Sequence, residues 1–293
     1  MQKFKWCLAP FLFAASLAFG ETQIGIEGAV EWDTLEIKAA VSLDLASAGI
    51  RLPAGRTQGE AIIGSEYLRL IRPGILDLQV DSSSTIADLI ERGELSLLET
   101  ENIALQARAV PPALSPDLCS ISAAYTLSLG GISAALLRHN RPSAILRTLI
   151  PVAAPAYTGI IIIASESLPV HGMKGATLPV PCLFPKIWDT NMNLIFERNM
   201  LEVTNAAMIR YAPVRSIFTD SPSGLSPEIN AIVGDKPLRI FARGVFGINP
   251  TDPIIDSDDA LLIISSEENR RLLREGRVVI VLDDSVLRSA LSE

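Results

Sequence analysis

The chain is poor in the residues from which metal and nucleophile sites are usually built. In 293 residues it has 3 cysteines, 2 histidines and 3 tryptophans, and aromatics make up 5%. His139 and His171 each stand without a second His or Cys at ligand spacing, which excludes a His/Cys zinc site of ordinary pattern. No Gly-x-Ser-x-Gly elbow marks a nucleophile. Gly55-Arg56-Thr57-Gln58-Gly59 lacks the Lys-Ser/Thr of a phosphate loop, and Gly25-Ile26-Glu27-Gly28 lacks the spacing of a dinucleotide loop. No cofactor is implied. Basic runs are also missing, and the formal charge is −8, so neither a nucleic-acid footprint nor adhesion to an anionic bilayer is supported.

Lys3 and Lys5, the apolar stretch 6–17 and Ala18-Phe19-Gly20 together read as an export signal at 1–20, cleaved before Glu21. Removing it takes away two lysines and no acid, which moves the formal charge from −8 to −10. A lipid anchor would need a Cys just after the apolar run, and Cys7 comes too early. Beyond residue 20 no apolar run reaches the roughly 20 residues of a membrane-spanning helix, so the mature chain is expected to have no span. The expected location is periplasmic or outer-membrane-associated. Two cysteines then remain, Cys119 and Cys182. In an oxidising compartment they could pair as a disulfide; the alternative is two free thiols in a large core.

Hydrophobic residues make up 48% and charged residues 20%, enough for a sizeable core. Periodicity predicts strands at 34–43, 75–80, 120–129, 157–164, 184–188, 194–196, 238–246 and 277–282. Helical spacing is found at 58–71, stopped by Arg72-Pro73-Gly74, at 85–92, and at 257–275. The expected fold is α+β, with a mixed or mainly antiparallel sheet, packed helices and two subdomains. Prolines at 111–116 suggest the division, giving 21–112 as an N-terminal α/β unit and 113–293 as a C-terminal α+β unit. The four consecutive isoleucines Ile160–Ile163 predict a strand buried on both faces.

The densest polar feature is Asp252, Asp256, Asp258 and Asp259. These could supply oxygens to Ca²⁺, but EF-hand spacing is missing. Helix capping explains all but Asp252. The Gly/Pro-rich connection 168–181 is the place to look for a partner site. His171, Gly172 and Lys174 within it, with Phe184 and Trp188 beyond it, are the candidate partner-binding residues.

Tyr157-Thr158-Gly159-Ile160, Pro181, Phe184-Pro185-Lys186-Ile187-Trp188-Asp189 and Ile195-Phe196-Glu197 resemble a periplasmic or outer-membrane family. Its C-terminal pattern is echoed by Ile254-Ile255-Asp256-Ser257-Asp258-Asp259-Ala260 and by Gly276-Arg277-Val278-Val279-Ile280-Val281-Leu282-Asp283. The family is that of Gram-negative envelope lipoproteins and flagellar-assembly proteins, in a spirochaete-like wording, and the resemblance covers 155–284. Two departures stand out. The lipobox is absent, and the family's Ala-Arg-Gly-Leu is here the longer Ala164-Ser165-Glu166-Ser167-Leu168. The resemblance implies a non-enzymatic envelope protein with protein partners, compatible with an oligomer, and carries over no catalytic residue. The alternative from another class is a periplasmic hydrolase or small-ligand binder, with a pocket near His171 and the aspartate cluster.

Overall fold

The computed structural model describes residues 24–149, 153–202 and 209–291, so the expected signal at 1–20 lies outside the described residues. The N-terminal region contributes β1 (Ile24–Glu31), β2 (Glu36–Asp44), α1 (Arg56–Leu76), β3 (Gln79–Asp81), β4 (Ser84–Thr85), α2 (Ile86–Glu91), α3 (Leu97–Ala104), β5 (Arg108–Ala109), β6 (Ala113–Leu114), β7 (Ser120–Ser128) and α4 (Leu129–Leu136). Strict alternation puts Ile37, Ala39, Val41 and Leu43 of β2 on the buried face, with Ile121, Ala123 and Leu127 of β7 beside them. Helix α1 crosses that face with Gly59, Ile63, Tyr67, Ile71 and Ile75 as its buried stripe, one residue per turn. Tyr67 stacks on Tyr125 at 3.9 Å between ring centroids.

Two expectations are corrected here. Helix α1 does not stop at Arg72-Pro73-Gly74 but runs through Pro73 to Leu76, since the Pro73 carbonyl still accepts the Asp77 N–H at 3.0 Å. Thr85 caps α2 by a capping box with Asp88. The prolines at 111–116 do not divide the fold: β6 lies among them, and β7 beyond them pairs with β2 along nine residues.

The C-terminal region contributes β8 (Ile160–Ile163), β9 (Leu168–Pro169), β10 (Ala176–Thr177), β11 (Ile187–Asp189), β12 (Leu194–Phe196), β13 (Arg210–Pro213), α5 (Pro227–Val233), β14 (Leu238–Phe241), β15 (Gly244–Phe246), β16 (Asp252–Ile255), α6 (Ser257–Ile264), α7 (Glu267–Arg274), β17 (Val278–Leu282) and β18 (Arg288–Ala290). The sheet β13-β17-β8-β14 is parallel throughout. Ile160 and Ile162 face the main core; Ile161 and Ile163 face a second cluster with Ile229 and Val233 of α5. Burying four isoleucines on two faces contributes roughly 1.5–3 kcal/mol each. The residues before β8 are fastened at several points. Thr158 Oγ1 donates to the Val233 carbonyl (2.7 Å) and accepts the Lys236 N–H (2.9 Å). A Cβ on Gly159 would lie 2.4 Å from Val233 Cα. Buried Asn269 of α7 accepts the Tyr157 N–H and donates to the Pro155 and Leu262 carbonyls.

Two sequence segments break where one element was expected. The stretch 238–246 is two strands in different sheets, joined at Ala242-Arg243. The stretch 257–275 is two helices, because Ser266 leaves the helical conformation and caps α7 by accepting the Asn269 N–H at 3.0 Å.

The fold is thus α+β, with an antiparallel N-terminal sheet and parallel and mixed sheets beyond it. The halves interlock. Strand β18, near the end of the described chain, pairs antiparallel with β1 of the first sheet. Leu183 and Phe184 donate backbone N–H groups to Gln79 and Val80 of β3 at 2.9 and 2.8 Å. Trp32 packs edge-on against Tyr211 at 6.1 Å, and one hydrophobic cluster spans both regions.

Candidate functional site

The segment 168–181 folds as a short hairpin. Strands β9 and β10 pair through Leu168–Thr177 and Pro169–Ala176. Gly172 (φ +77°) and Gly175 (φ +112°) occupy left-handed positions at its tip, where a side chain would strain the turn. The hairpin is tied to β15 by a parallel bridge from Val170 to Val245 and by the His171 N–H, which donates to the Val245 carbonyl at 2.9 Å.

That anchoring sets His171 on an aromatic row. Its ring lies 6.0 Å from Phe246, and Phe246 lies 5.5 Å from Trp188 of β11. Strand order places these rings side by side: β11 pairs with β16, and β16 with β15, where Phe246 faces Asp252 in register. Beneath the row, Asp252 is fully buried. Its Oδ1 accepts from the Lys186 N–H (3.1 Å) and Thr251 Oγ1 (2.8 Å), and its Oδ2 from Trp188 Nε1 (3.5 Å). Burial pushes its carboxyl above the usual carboxylate range, and the Thr251, Lys186, Ser82 and Trp188 donors oppose that. Asp252 therefore fastens the Lys186–Trp188 backbone and the indole in place.

The expected site residues divide. His171, Gly172 and Lys174 lie on the exposed hairpin, and Trp188 is half-buried beside it. Phe184 does not belong to a partner surface: it is buried in the core, where its N–H joins β3. The aspartate cluster does not converge. Asp252 lies under the aromatic row, whereas Asp256 caps α6 and pairs with Arg243 at 3.4 Å. Asp258 and Asp259 occupy the first turn of α6. Among the described residues, no group of three or more His, Cys, Asp or Glu is placed to hold a metal ion.

Cys119 is exposed and Cys182 buried, both as free thiols, so the disulfide reading is corrected. Cys182 sits inside the molecule, its N–H donating to Tyr211 Oη (3.1 Å), which in turn donates to its carbonyl (2.9 Å). Burial raises its thiol, which keeps it protonated and unreactive. Sequence reasoning missed Phe246, Met173 and Ile248. Met173 and Ile248 are 57% and 78% exposed, one at the hairpin tip two residues past His171 and one two residues past Phe246. The signal was present as an apolar residue in each turn, where polar residues are the rule.

Residues 23–135 match the family model described as Treponema pallidum Tp0624, N-terminal domain, and residues 159–284 match that of Tp0624, second domain. The chain is similar to Tp0624. The similarity takes in both halves, so it is not confined to the C-terminal half, and a spirochaete protein accords with the wording of the motifs. No curated protein matches the chain. Gly159 and Asp189, inside the second match, and Thr158 just before it have structural work. Thr158-Gly159 seats the turn after α5, and Asp189 holds the β11–β12 turn by accepting the N–H groups of Asn191 (2.9 Å) and Asn193 (2.7 Å).

Proposed function

We propose that this is an exported, non-enzymatic envelope protein that works by protein–protein contact, as an accessory of flagellar or cell-surface assembly. The observation that carries the reading is the His171–Phe246–Trp188 row, with exposed Met173 and Ile248 each two residues along the chain from a member of it. Aromatic and methionine side chains on a rigid frame are the composition of interface centres. The frame here is a paired sheet whose indole is pinned by a buried carboxylate. The charged start and apolar run of 1–20 support export.

A hydrolase reading is less well supported. The ring contact of His171 is aromatic, and Asp252, which faces its ring neighbour Phe246 in register, is committed to backbone, hydroxyl and indole donors. The test is fractionation of native cells followed by sizing of the protein in gentle detergent. The reading predicts recovery with the envelope in a complex larger than the 31.5 kDa chain. It also predicts that Ile248→Asp releases the protein from that complex without changing its melting temperature. Cytosolic recovery, or a free monomer in both forms, contradicts it. The assembly role further predicts a motility or surface-assembly defect on deletion.

A further inference from the structure

The parallel sheet ends in a notch. Strands β8, β13 and β14 run the same way, so their carboxyl ends and the loops leaving them share one edge. In open parallel sheets this edge is where ligands are taken. Here the loops enclose a concavity of about 280 Å³ lined by Ser165, Glu166, Leu168, Val214, Phe218 and Phe241, among others. Phe218 and Phe241 are 66% and 63% exposed. One exposed phenyl ring needs no explanation, but two at the mouth of one notch do.

Glu166 supplies the second observation. Among the described residues its carboxylate has neither hydrogen bond nor ion pair, and the basic side chains around the notch are engaged elsewhere. Arg215 pairs with Asp284. Arg239 donates to the carbonyls of Ile217 (3.3 Å) and Ser223 (3.0 Å). Arg243 pairs with Asp256. The notch therefore offers a negative charge with two aromatic faces and no cation of its own. Its volume suits one long side chain, below the usual range of small-molecule pockets and far below a helix.

We propose that this notch receives an arginine side chain from a protein partner. A guanidinium satisfies both features at once. Its planar face stacks on the phenyl rings, and its fork pairs with the carboxylate. The chain's formal charge of −8 favours a basic partner segment. The notch is built from residues other than those of the His171 row, so it is a further contact point.

The test uses the purified full chain and fluorescently labelled Gly-Ala-Arg-Ala-Gly, read by anisotropy, against the same peptide with norleucine or lysine in place of arginine. Saturable binding of the arginine peptide is expected, weakened about tenfold by norleucine, severalfold by lysine, and progressively by added salt. Glu166→Gln is expected to lose about tenfold in affinity and Phe241→Ala severalfold. Both residues are exposed, so melting curves should overlay the parent. Lack of saturable binding overturns the proposal. So does equal binding of the norleucine peptide, or unchanged affinity in Glu166→Gln.

Discussion

Asp252 is where the account turns on one side chain. Removing it leaves the Lys186 N–H and the Trp188 indole N–H without their acceptor inside the fold. Asp252→Ala is therefore expected to destabilise the protein by about 1–3 kcal/mol in urea melts. Its titration has a definite sign. The unfolded chain gives up this proton in the ordinary carboxylate range, whereas burial makes the folded chain hold it to higher pH. Stability tied to Asp252 is fully present below the ordinary value and is lost as pH rises through the folded value. Capping carboxylates such as Asp88 and Glu99, held low first by the backbone N–H groups they accept from, act in the opposite direction. Comparing parent and Asp252→Asn isolates the difference: the parent should lose stability relative to the variant as pH rises from about 4 toward neutrality. Gly159 is a second such point. A methyl there meets Val233 backbone at 2.4 Å, so Gly159→Ala should cost about 1–3 kcal/mol or more, read by thermal melting.

Elements with a strong period were legible in the sequence, and their ends were not. The four isoleucines of β8 and the run Val278–Leu282 of β17 are buried on both faces, as unbroken β-branched runs imply. The alternating β2 and β7 were equally plain. The failures share a cause: a local hydrogen bond that period alone does not reveal. Ser266 ends one helix and starts the next by capping α7, although 257–275 reads as one periodic stretch. Ser266→Ala is expected to destabilise the protein by roughly 1 kcal/mol, the ordinary cost of a lost cap, measured by denaturant melts. Helix α1 passes Pro73 because one further turn can form beyond it, and Gly74 lets Leu291 pack where a Cβ would approach to 2.7 Å. The segment 168–181 was visible as a Gly/Pro-rich connection, but its β9–β10 hairpin was not. Its pairing with β15, which creates the aromatic row, is a contact between residues some 75 positions apart and left no local mark.

At the scale of the molecule, two subdomains, each with its own family match, interlock. The terminal strand β18 completes the first sheet, and Trp32, packed on Tyr211, hydrogen-bonds Ser289 at 3.0 Å through its indole N–H. The proline-based boundary failed because sheet pairing across 111–116 outweighs the local break. Unfolding should accordingly be one transition by near-ultraviolet and far-ultraviolet dichroism, and Trp32→Ala should cost about 3–5 kcal/mol while keeping the two probes coincident. The same rigidity supports the proposed use of the surface row as a contact, since it would hold the rings in place before a partner arrives. The most direct test of that contact is a photo-crosslinking amino acid placed at His171 in native cells. The account predicts one discrete adduct at that position, lost with Ile248→Asp and not formed from a probe at exposed Gln58 on α1. A His171 probe that yields no adduct, or the same pattern as the Gln58 probe, would contradict it.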